Sequence, residues 1–357
     1  MKIAIIIGTR PEIIKMAPVI RELERRSRTF FIIHTGQHYS YNLDRVFIEQ
    51  LNLPKSKHNL HVRSDSPAVQ TGKILTRVGE VLQQENPDMV LVEGDTNSVL
   101  AGALAAVKFH IKVGHVEAGL RSYDRSMPEE INRILVDHCS DLLFAPTENA
   151  MAILQGEGIP GDRIFVTGNT IVDSVYQNLE ISQDKTNALN ILGLKPKEYL
   201  LATIHRQENV DNKVRFASIL TGLEQVAEKF KTPVIYPIHP RSLFRMRMFD
   251  LEPRKLKLID PVDYFDFLQL ESSARLVLTD SGGVQEEACI LGVPCVTLRD
   301  NTERPETIEI GANVLAGALP EKILKCAELM LGKKPDWKNP FGDGKAGERI
   351  VDIITGR

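Results

Sequence analysis

Carboxylates, a histidine and a glycine-rich turn recur along this chain in one setting, immediately after short apolar runs. Ile3–Ile7 leads into Gly8-Thr9-Arg10-Pro11-Glu12, with Lys15 one helical turn further on. Pro11 suits a first helical turn, so Arg10 stands at a helix N-terminus, where a cation opposes the helix dipole unless an anion neutralises both. Met89–Val92 leads into Glu93-Gly94-Asp95-Thr96-Asn97, and the next apolar run carries His115-Val116-Glu117-Ala118-Gly119-Leu120-Arg121. Pro128-Glu129-Glu130-Ile131-Asn132-Arg133 then opens a helical pattern. Acids are ordinary in a first turn, so Glu129 and Glu130 also admit a purely structural reading. Asp95, Glu117 and Glu129 are candidates for acid/base work, because carboxylates crowded at one sheet edge can exchange protons with a bound molecule.

Further along, Thr203-Ile204-His205-Arg206 follows another apolar run, and His205 beside Arg206 suits contact with phosphate, although a lone histidine is more often structural. Thr279-Asp280-Ser281-Gly282-Gly283-Val284-Gln285-Glu286-Glu287 is the most informative segment. A Ser-Gly-Gly turn that opens a helix exposes backbone N–H groups to an anion. Glu287, about one turn inside that helix, is placed to take a ribose diol.

Elements that put such residues at one edge are the alternating strands and helices of a parallel sheet. Ile3–Ile7, Phe30–Ile33, Met89–Val92, Val113–Val116, Leu142–Phe144 and Ile164–Val166 are predicted strands. The rhythm resumes with Tyr199–Ile204, Val234–Tyr236, Leu256–Ile259, Leu276–Leu278 and Val296–Leu298. Amphipathic stretches lie between them, such as the one carrying Ile74, Leu75, Val78 and Leu82. Repetition of this kind predicts an α/β protein of two doubly wound domains. The polar stretch 179–196 is the expected break, giving domains of 1–170 and 171–345, with the helical pattern at 346–357 packing back on the first. In open α/β sheets ligands bind at the carboxyl ends of the strands, where all these residues stand.

Composition narrows the function further. The 357 residues carry 44 Lys and Arg against 47 Asp and Glu, a formal charge of -3 with no basic run, which argues against nucleic acid as partner. No apolar stretch reaches the ~18–20 residues of a membrane span, and the chain is expected in the cytoplasm. Cys139, Cys289, Cys295 and Cys326 form no C-x-x-C pair and are expected to be reduced thiols rather than metal ligands or disulfides. There is no G-x-G-x-x-G and no Walker loop, so neither a nicotinamide enzyme nor a P-loop ATPase is indicated.

Gly8-Thr9-Arg10-Pro11-Glu12, Gly94-Asp95-Thr96, His115 to Arg121, Pro128-Glu129-Glu130 with Asn132-Arg133, Ser281-Gly282-Gly283 with Gln285-Glu286-Glu287, and Thr302-Glu303-Arg304-Pro305-Glu306 together resemble the non-hydrolysing UDP-N-acetylglucosamine 2-epimerases. The resemblance covers nearly the whole chain, in order. It implies two Rossmann-like domains facing a cleft, as in B-type glycosyltransferases, in a homodimer that needs no metal or other cofactor. It also implies interconversion of UDP-N-acetylglucosamine and UDP-N-acetylmannosamine, with UDP departing to leave a glycal and then adding back. The product would supply activated N-acetylmannosamine for cell-surface polysaccharide or glycan synthesis. Asp95, Glu117, Glu129 and His205 are then the expected catalytic residues. Arg10, Lys15, Arg133, Phe267, Ser281, Gly282, Gly283, Glu287 and Arg304 are expected at the substrate.

The hydrolysing 2-epimerases carry Gly-Asp-Arg and His-Ile-Glu-Gly-Gly versions of the central motifs, whereas this chain has Asp95-Thr96 and Glu117-Ala118-Gly119. Bacterial members hold a second, activating substrate molecule with Gln-His-Arg and Arg-Gln-Thr. Here those positions read Gln37-His38-Tyr39 and Val69-Gln70-Thr71, leaving Gln37, His38 and Gln70 as allosteric candidates without the arginine pair. A glutamine near the uracil in some members is Val262 here, while Phe267 is kept.

Overall fold

The computed structural model describes residues 1–37 and 47–356. These divide into two compact units, one of residues 1–176 with 341–357 and one of residues 177–340. The first holds a seven-stranded sheet of β1 (Lys2–Ile7), β2 (Thr29–His34), β3 (His58–Asn59), β4 (Met89–Glu93), β5 (Lys112–Val116), β6 (Leu142–Ala145) and β7 (Ile164–Val166), in the order β3-β2-β1-β4-β5-β6-β7. The second holds β8 (Leu200–Thr203), β9 (Val234–Pro237), β10 (Leu256–Ile259), β11 (Leu276–Thr279), β12 (Cys295–Thr297) and β13 (Asn313–Leu315), in the order β10-β9-β8-β11-β12-β13. Every pairing among these strands is parallel.

Parallel strands need crossovers, and the helices that make them cover both faces of each sheet, so the strands read as continuous apolar runs. Leu200 and Ala202 pack with Phe216, Ile219 and Val226, whereas Tyr199 and Leu201 join Leu270, Val277 and Cys295 on the other face. β1 is buried from Ile3 through Ile7. At ~1.5–3 kcal/mol for each fully buried isoleucine, it is a firm base for the turn that follows.

Strand order reverses between β1 and β4 in the first unit and between β8 and β11 in the second. Loops leaving such neighbours diverge to opposite sides and open a crevice at the strand ends. Arg10 and Asp95 follow β1 and β4, and His205 and Ser281 follow β8 and β11.

Three expectations need correction in detail. β3 and β13 escaped the sequence pattern because both are edge strands of two or three residues, too short to show a period. The stretch 179–196, the expected break, is largely helical. A helix, Thr170–Lys185, runs through the boundary at 176/177 because Val172, Ser174, Val175, Asn178 and Ser182 are buried along it, while Gln183 and Asp184 face solvent. The chain also rejoins the first unit at residue 341, earlier than 346. There the helix Ala346–Thr355 packs on the helix Arg10–Arg25. Asp173 accepts hydrogen bonds from the backbone N–H groups of Ala346 (3.2 Å) and Gly347 (2.9 Å), capping its N-terminus.

Candidate active site

At the β1/β4 switch point the backbone comes close enough to demand glycine. A Cβ on Gly8 would lie 2.1 Å from Ser98 Oγ and 2.2 Å from Thr35 Oγ1. Glu12, on the first turn of the Arg10–Arg25 helix, accepts from the Gly8 N–H (2.6 Å), the Thr9 hydroxyl (2.9 Å) and the Thr96 hydroxyl (2.7 Å). Its burial pushes the carboxyl up to about 7 in spite of these bonds. Glu12 is therefore internal and ties the first loop to the third. Arg10 lies over the Phe47 ring, 5.6 Å from its centroid.

Lys15, expected at the substrate, reaches two carboxyls of its own unit. Its ammonium pairs with Glu117 and stands 3.4 Å from Glu93 Oε1. Glu117 has φ of 67°, a left-handed conformation that costs a non-glycine residue ~1–2 kcal/mol and that turns its carboxyl toward Lys15 and Asn169. Gly119, two residues on, has φ of 86° and sits so close to Ala150 that a Cβ would lie 2.5 Å from the carbonyl oxygen.

Asp95 is one-third exposed and paired with Arg133 at 2.5 Å, while the Asn132 amide donates to the Asp95 carbonyl at 2.9 Å. The neighbouring acids Glu129 and Glu130 divide their duties. Glu130 is buried and accepts from Ser122 N–H and hydroxyl and from Tyr123 N–H, at 2.8–2.9 Å. Its burial alone would raise its pKa, but these donors and Arg133 hold it below the ordinary value. Glu129 is exposed on the same turn and available to a ligand.

Beneath them lies a network the sequence reading did not assign. His115 Nδ1 stands 2.7 Å from Asp137 Oδ1 and Nε2 2.9 Å from the Gly94 carbonyl, so both ring nitrogens face acceptors. Asp137, fully buried, also takes Arg121 at 2.7 Å. Burial would raise this carboxyl, but His115 and Arg121 hold it below its usual value. His115 thereby fixes the Gly94 turn that presents Asp95. His115 stood in the quoted motif, but its partner Asp137 lies 22 residues away.

Of the allosteric candidates, Gln37 and Gln70 are buried and bonded to the start of the Asn97–Lys108 helix. Gln37 Oε1 accepts from the Ser98 N–H (2.9 Å) and hydroxyl (2.6 Å), and Gln70 Oε1 accepts from Asn97 (2.9 Å). Their amides are thus engaged in holding the helix that follows Asp95. His38 lies outside the described residues.

At the β8/β11 switch point the charges are arranged differently. Asp280, fully buried, accepts from the backbone N–H of His205 (3.0 Å) and Arg206 (2.9 Å), from Asn209 (3.0 Å) and from His205 Nδ1 (3.1 Å). Burial opposes its charge, but the His205, Asn209 and Arg206 donors hold it below the ordinary range. Asp280 stood in the quoted motif without a role; the structure makes it the anchor of His205. The His239 ring lies 6.3 Å from that of His205, and burial, then His205 and Arg241, lower its pKa.

His205, Phe267 and Ser281 line one cavity of about 240 Å³ with Thr203, Ile204, Pro237, His239 and Val284. That is below the ~300–1,000 Å³ of pockets for whole drug-sized ligands and suits one ring or one phosphate group. Ser281 is the N-cap of the helix Gly282–Ile290, and its hydroxyl makes no capping bond.

Glu287 does not line that cavity. It is buried on the same helix, and the Tyr264 hydroxyl donates to it at 3.4 Å. Arg304 is not aimed at open space either: its Nε pairs with buried Glu286 at 2.9 Å. Thr302 donates to Gln285 at 2.6 Å, so the 302–304 turn is fastened to the helix. Arg299 takes Glu303 in a two-point pair at 2.8 and 3.0 Å, which overcomes burial and holds that carboxylate at about 2.

Among the described residues, no group of three or more His, Cys, Asp or Glu is placed to hold a metal ion, and no helix is long and apolar enough to cross a membrane. All four cysteines are free thiols.

Comparison with known proteins accords with this layout. The family model described as UDP-N-acetylglucosamine 2-epimerase matches residues 21–355. A UDP-N-acetylglucosamine 2-epimerase of Methanocaldococcus jannaschii is 56% identical over 99% of both chains. A crystal structure of that organism's enzyme with UDP-GlcNAc and UDP superposes with a TM-score of 0.89, covering 100% of each chain. A UDP-2,3-diacetamido-2,3-dideoxy-D-glucuronate 2-epimerase of Pseudomonas aeruginosa is 42% identical over 99% of both chains. The chain belongs to the UDP-N-acetylglucosamine 2-epimerase family of isomerases.

Proposed function

We propose that this chain interconverts UDP-N-acetylglucosamine and UDP-N-acetylmannosamine by eliminating UDP and adding it back. The observation that carries the reading is the carboxyl cluster at the β1/β4 switch point, with Glu117 set against Lys15 and Asp95 against Arg133. The Methanocaldococcus relative, crystallised with UDP-GlcNAc and UDP, supports the choice of substrate.

Inversion at C2 requires loss of a proton from a carbon with no carbonyl beside it. Breaking the C1–O bond first makes that proton removable, and the products are a glycal and UDP. Return of UDP to C1, with a proton delivered to the opposite face of C2, completes the change. The second unit would hold the departing diphosphate with His205 and the N–H groups of Ser281, Gly282 and Gly283, and Glu287 would take the ribose. Asp280 keeps a proton on His205 Nδ1, which leaves Nε2 to face the ligand. In the first unit Asp95, Glu117 and Glu129 would exchange protons with the sugar, with Arg10 and Arg133 orienting it. N-acetylmannosamine in this activated form would serve polymer synthesis.

Incubation with UDP-N-acetylglucosamine alone tests the reading. It predicts a mixture of the two UDP-sugars. A B-type glycosyltransferase, which shares the fold class, would leave the substrate unchanged without an acceptor. Release of free N-acetylmannosamine would place the reaction with the hydrolysing enzymes. Turnover of only a 2,3-diacetamido uronate would move the substrate toward that of the Pseudomonas relative.

A further inference from the structure

Asp137 sits on the helix Pro128–Cys139, which also carries Glu129 and Arg133, and it is fully buried. Its Oδ1 stands 2.7 Å from His115 Nδ1. Its Oδ2 accepts from the Gly119 N–H at 3.2 Å and pairs with the Arg121 guanidinium at 2.7 Å. Arg121 is braced in turn by a two-point pair with Glu157, at 2.8 and 2.6 Å. On the far side of the imidazole, Nε2 stands 2.9 Å from the Gly94 carbonyl. A carbonyl oxygen can only accept, so this contact is a hydrogen bond with Nε2 as its donor. The Gly94 N–H donates to the Val116 carbonyl at 3.2 Å, so both backbone polar groups of Gly94 are fastened to β5.

One carboxylate thus reaches two turns. Gly94 precedes Asp95, and Gly119 follows Glu117 by two residues. Gly94, Glu117 and Gly119 all have left-handed backbone, with φ of 84°, 67° and 86°. In a non-glycine residue such as Glu117 that conformation persists only where the surroundings hold it. The Gly94 carbonyl and the Gly119 N–H are the points at which the network holds these turns. Stability alone does not account for the buried charges, since apolar groups of similar volume in place of a buried ion pair are often no less stable. The geometry that the charges impose does account for them.

We propose that His115 and Asp137 are a pair of positioning residues that fix the Gly94 turn through the imidazole and the Gly119 turn through the carboxylate, and so set Asp95 and Glu117 at one spacing for proton exchange with the sugar. The proposal rests on the reading of Asp95 and Glu117 as proton-transfer groups. His115 is 1% exposed and Asp137 0%, so both act through the turns they hold. Loss of either arm lets a carboxylate drift, and a displacement of about 1 Å costs roughly 10²-fold in rate. Contacts with UDP, which the proposed function gives to the second unit, are left in place.

The test is a double-mutant cycle on the full chain, reading turnover of UDP-N-acetylglucosamine, UDP affinity by calorimetry and folded fraction by urea unfolding. Asparagine at 115 keeps an N–H where Nδ1 stands and loses the Gly94 arm, whereas glutamine keeps an N–H where Nε2 stands. His115→Asn is expected to lower kcat by roughly 10²-fold with UDP affinity held, and His115→Gln to recover most of that loss. On an Asp95→Asn background, His115→Asn is expected to cost less than about threefold further, because the group it positions is already gone. Asp137→Asn, which disturbs both turns, is expected to lose roughly tenfold or more even there, through Glu117. Equal fold-losses of His115→Asn in the two backgrounds, or His115→Gln no better than His115→Asn, mark a merely structural pair and overturn the proposal while leaving Asp95 in place. Wild-type turnover by Asp95→Asn overturns the underlying reading with it. Should Asp137→Asn fail to fold, the His115 cycle decides alone.

Discussion

At the β1/β4 edge lie three buried carboxyls, Glu12, Glu93 and Glu117, and the Lys15 ammonium pairs with Glu117 and approaches Glu93. At the β8/β11 edge, Asp280 takes two backbone N–H groups, an amide and an imidazole, and Glu303 takes a two-point arginine. The backbones are built alike, each a parallel sheet with its order reversing beside the first strand of its unit. What differs is the balance of charge. Burial pushes Glu12 up to about 7 in spite of its three neutral donors, in the range where an acid gains and loses a proton near neutrality. Glu303, paired with the Arg299 guanidinium, is held at about 2 as an anion. On the function proposed above, one edge moves protons and the other keeps a diphosphate still. The pair Glu271 and Glu287 departs from the second pattern. Burial, followed by repulsion from Glu287, raises Glu271 well above its usual range.

The comparison breaks first at the carboxylates. Asp95→Asn and Glu117→Gln should each lower turnover by roughly 10²–10⁴-fold with UDP affinity nearly intact. Kinetics beside calorimetric UDP titration checks this, and loss of UDP affinity in step with turnover would erase the division between the units. In the second unit, Asp280→Ala should cost stability instead, roughly 1–3 kcal/mol for each buried donor left bare, and weaken UDP binding through His205. Urea unfolding with the same titration reads both quantities. Glu287→Gln should weaken UDP binding by roughly 1.5–3 kcal/mol, the worth of a charge-assisted hydrogen bond; unchanged affinity would remove it from the ribose.

The smallest effect is one of pH. Glu12 has a folded pKa of about 7 against an ordinary 4.5, so the folded chain holds this proton more tightly than the unfolded chain does. Its contribution to stability is full below about 4.5 and is lost as pH rises through about 7. Glu12→Gln should therefore gain stability relative to wild type between pH 5 and 8. A difference that stays flat across that window would show Glu12 to be ionised throughout.

Much of this was legible in the sequence. Apolar runs located eleven strands, and the residues at their ends carried the family motifs. Partnership was not legible. Whether Glu129 or Glu130 is structural depends on Ser122 and Tyr123 folding back over one of them. The pairing of Lys15 with Glu93 and Glu117 appears only once β4 and β5 are in place. Asp280 looked like part of a glycine-rich turn, and its duty appears only once β8 lies beside β11. Contacts of this kind join residues from seven to about a hundred positions apart, where no local pattern records them.

Proton NMR of the protein with UDP-N-acetylglucosamine in deuterium oxide tests the central claim most directly. The account predicts deuterium at C2 of both UDP-sugars, with the C1–O–P linkage present in the product. Epimerisation with C2 hydrogen fully retained would contradict proton exchange at the carboxyl cluster, and so the reading of that edge of the molecule.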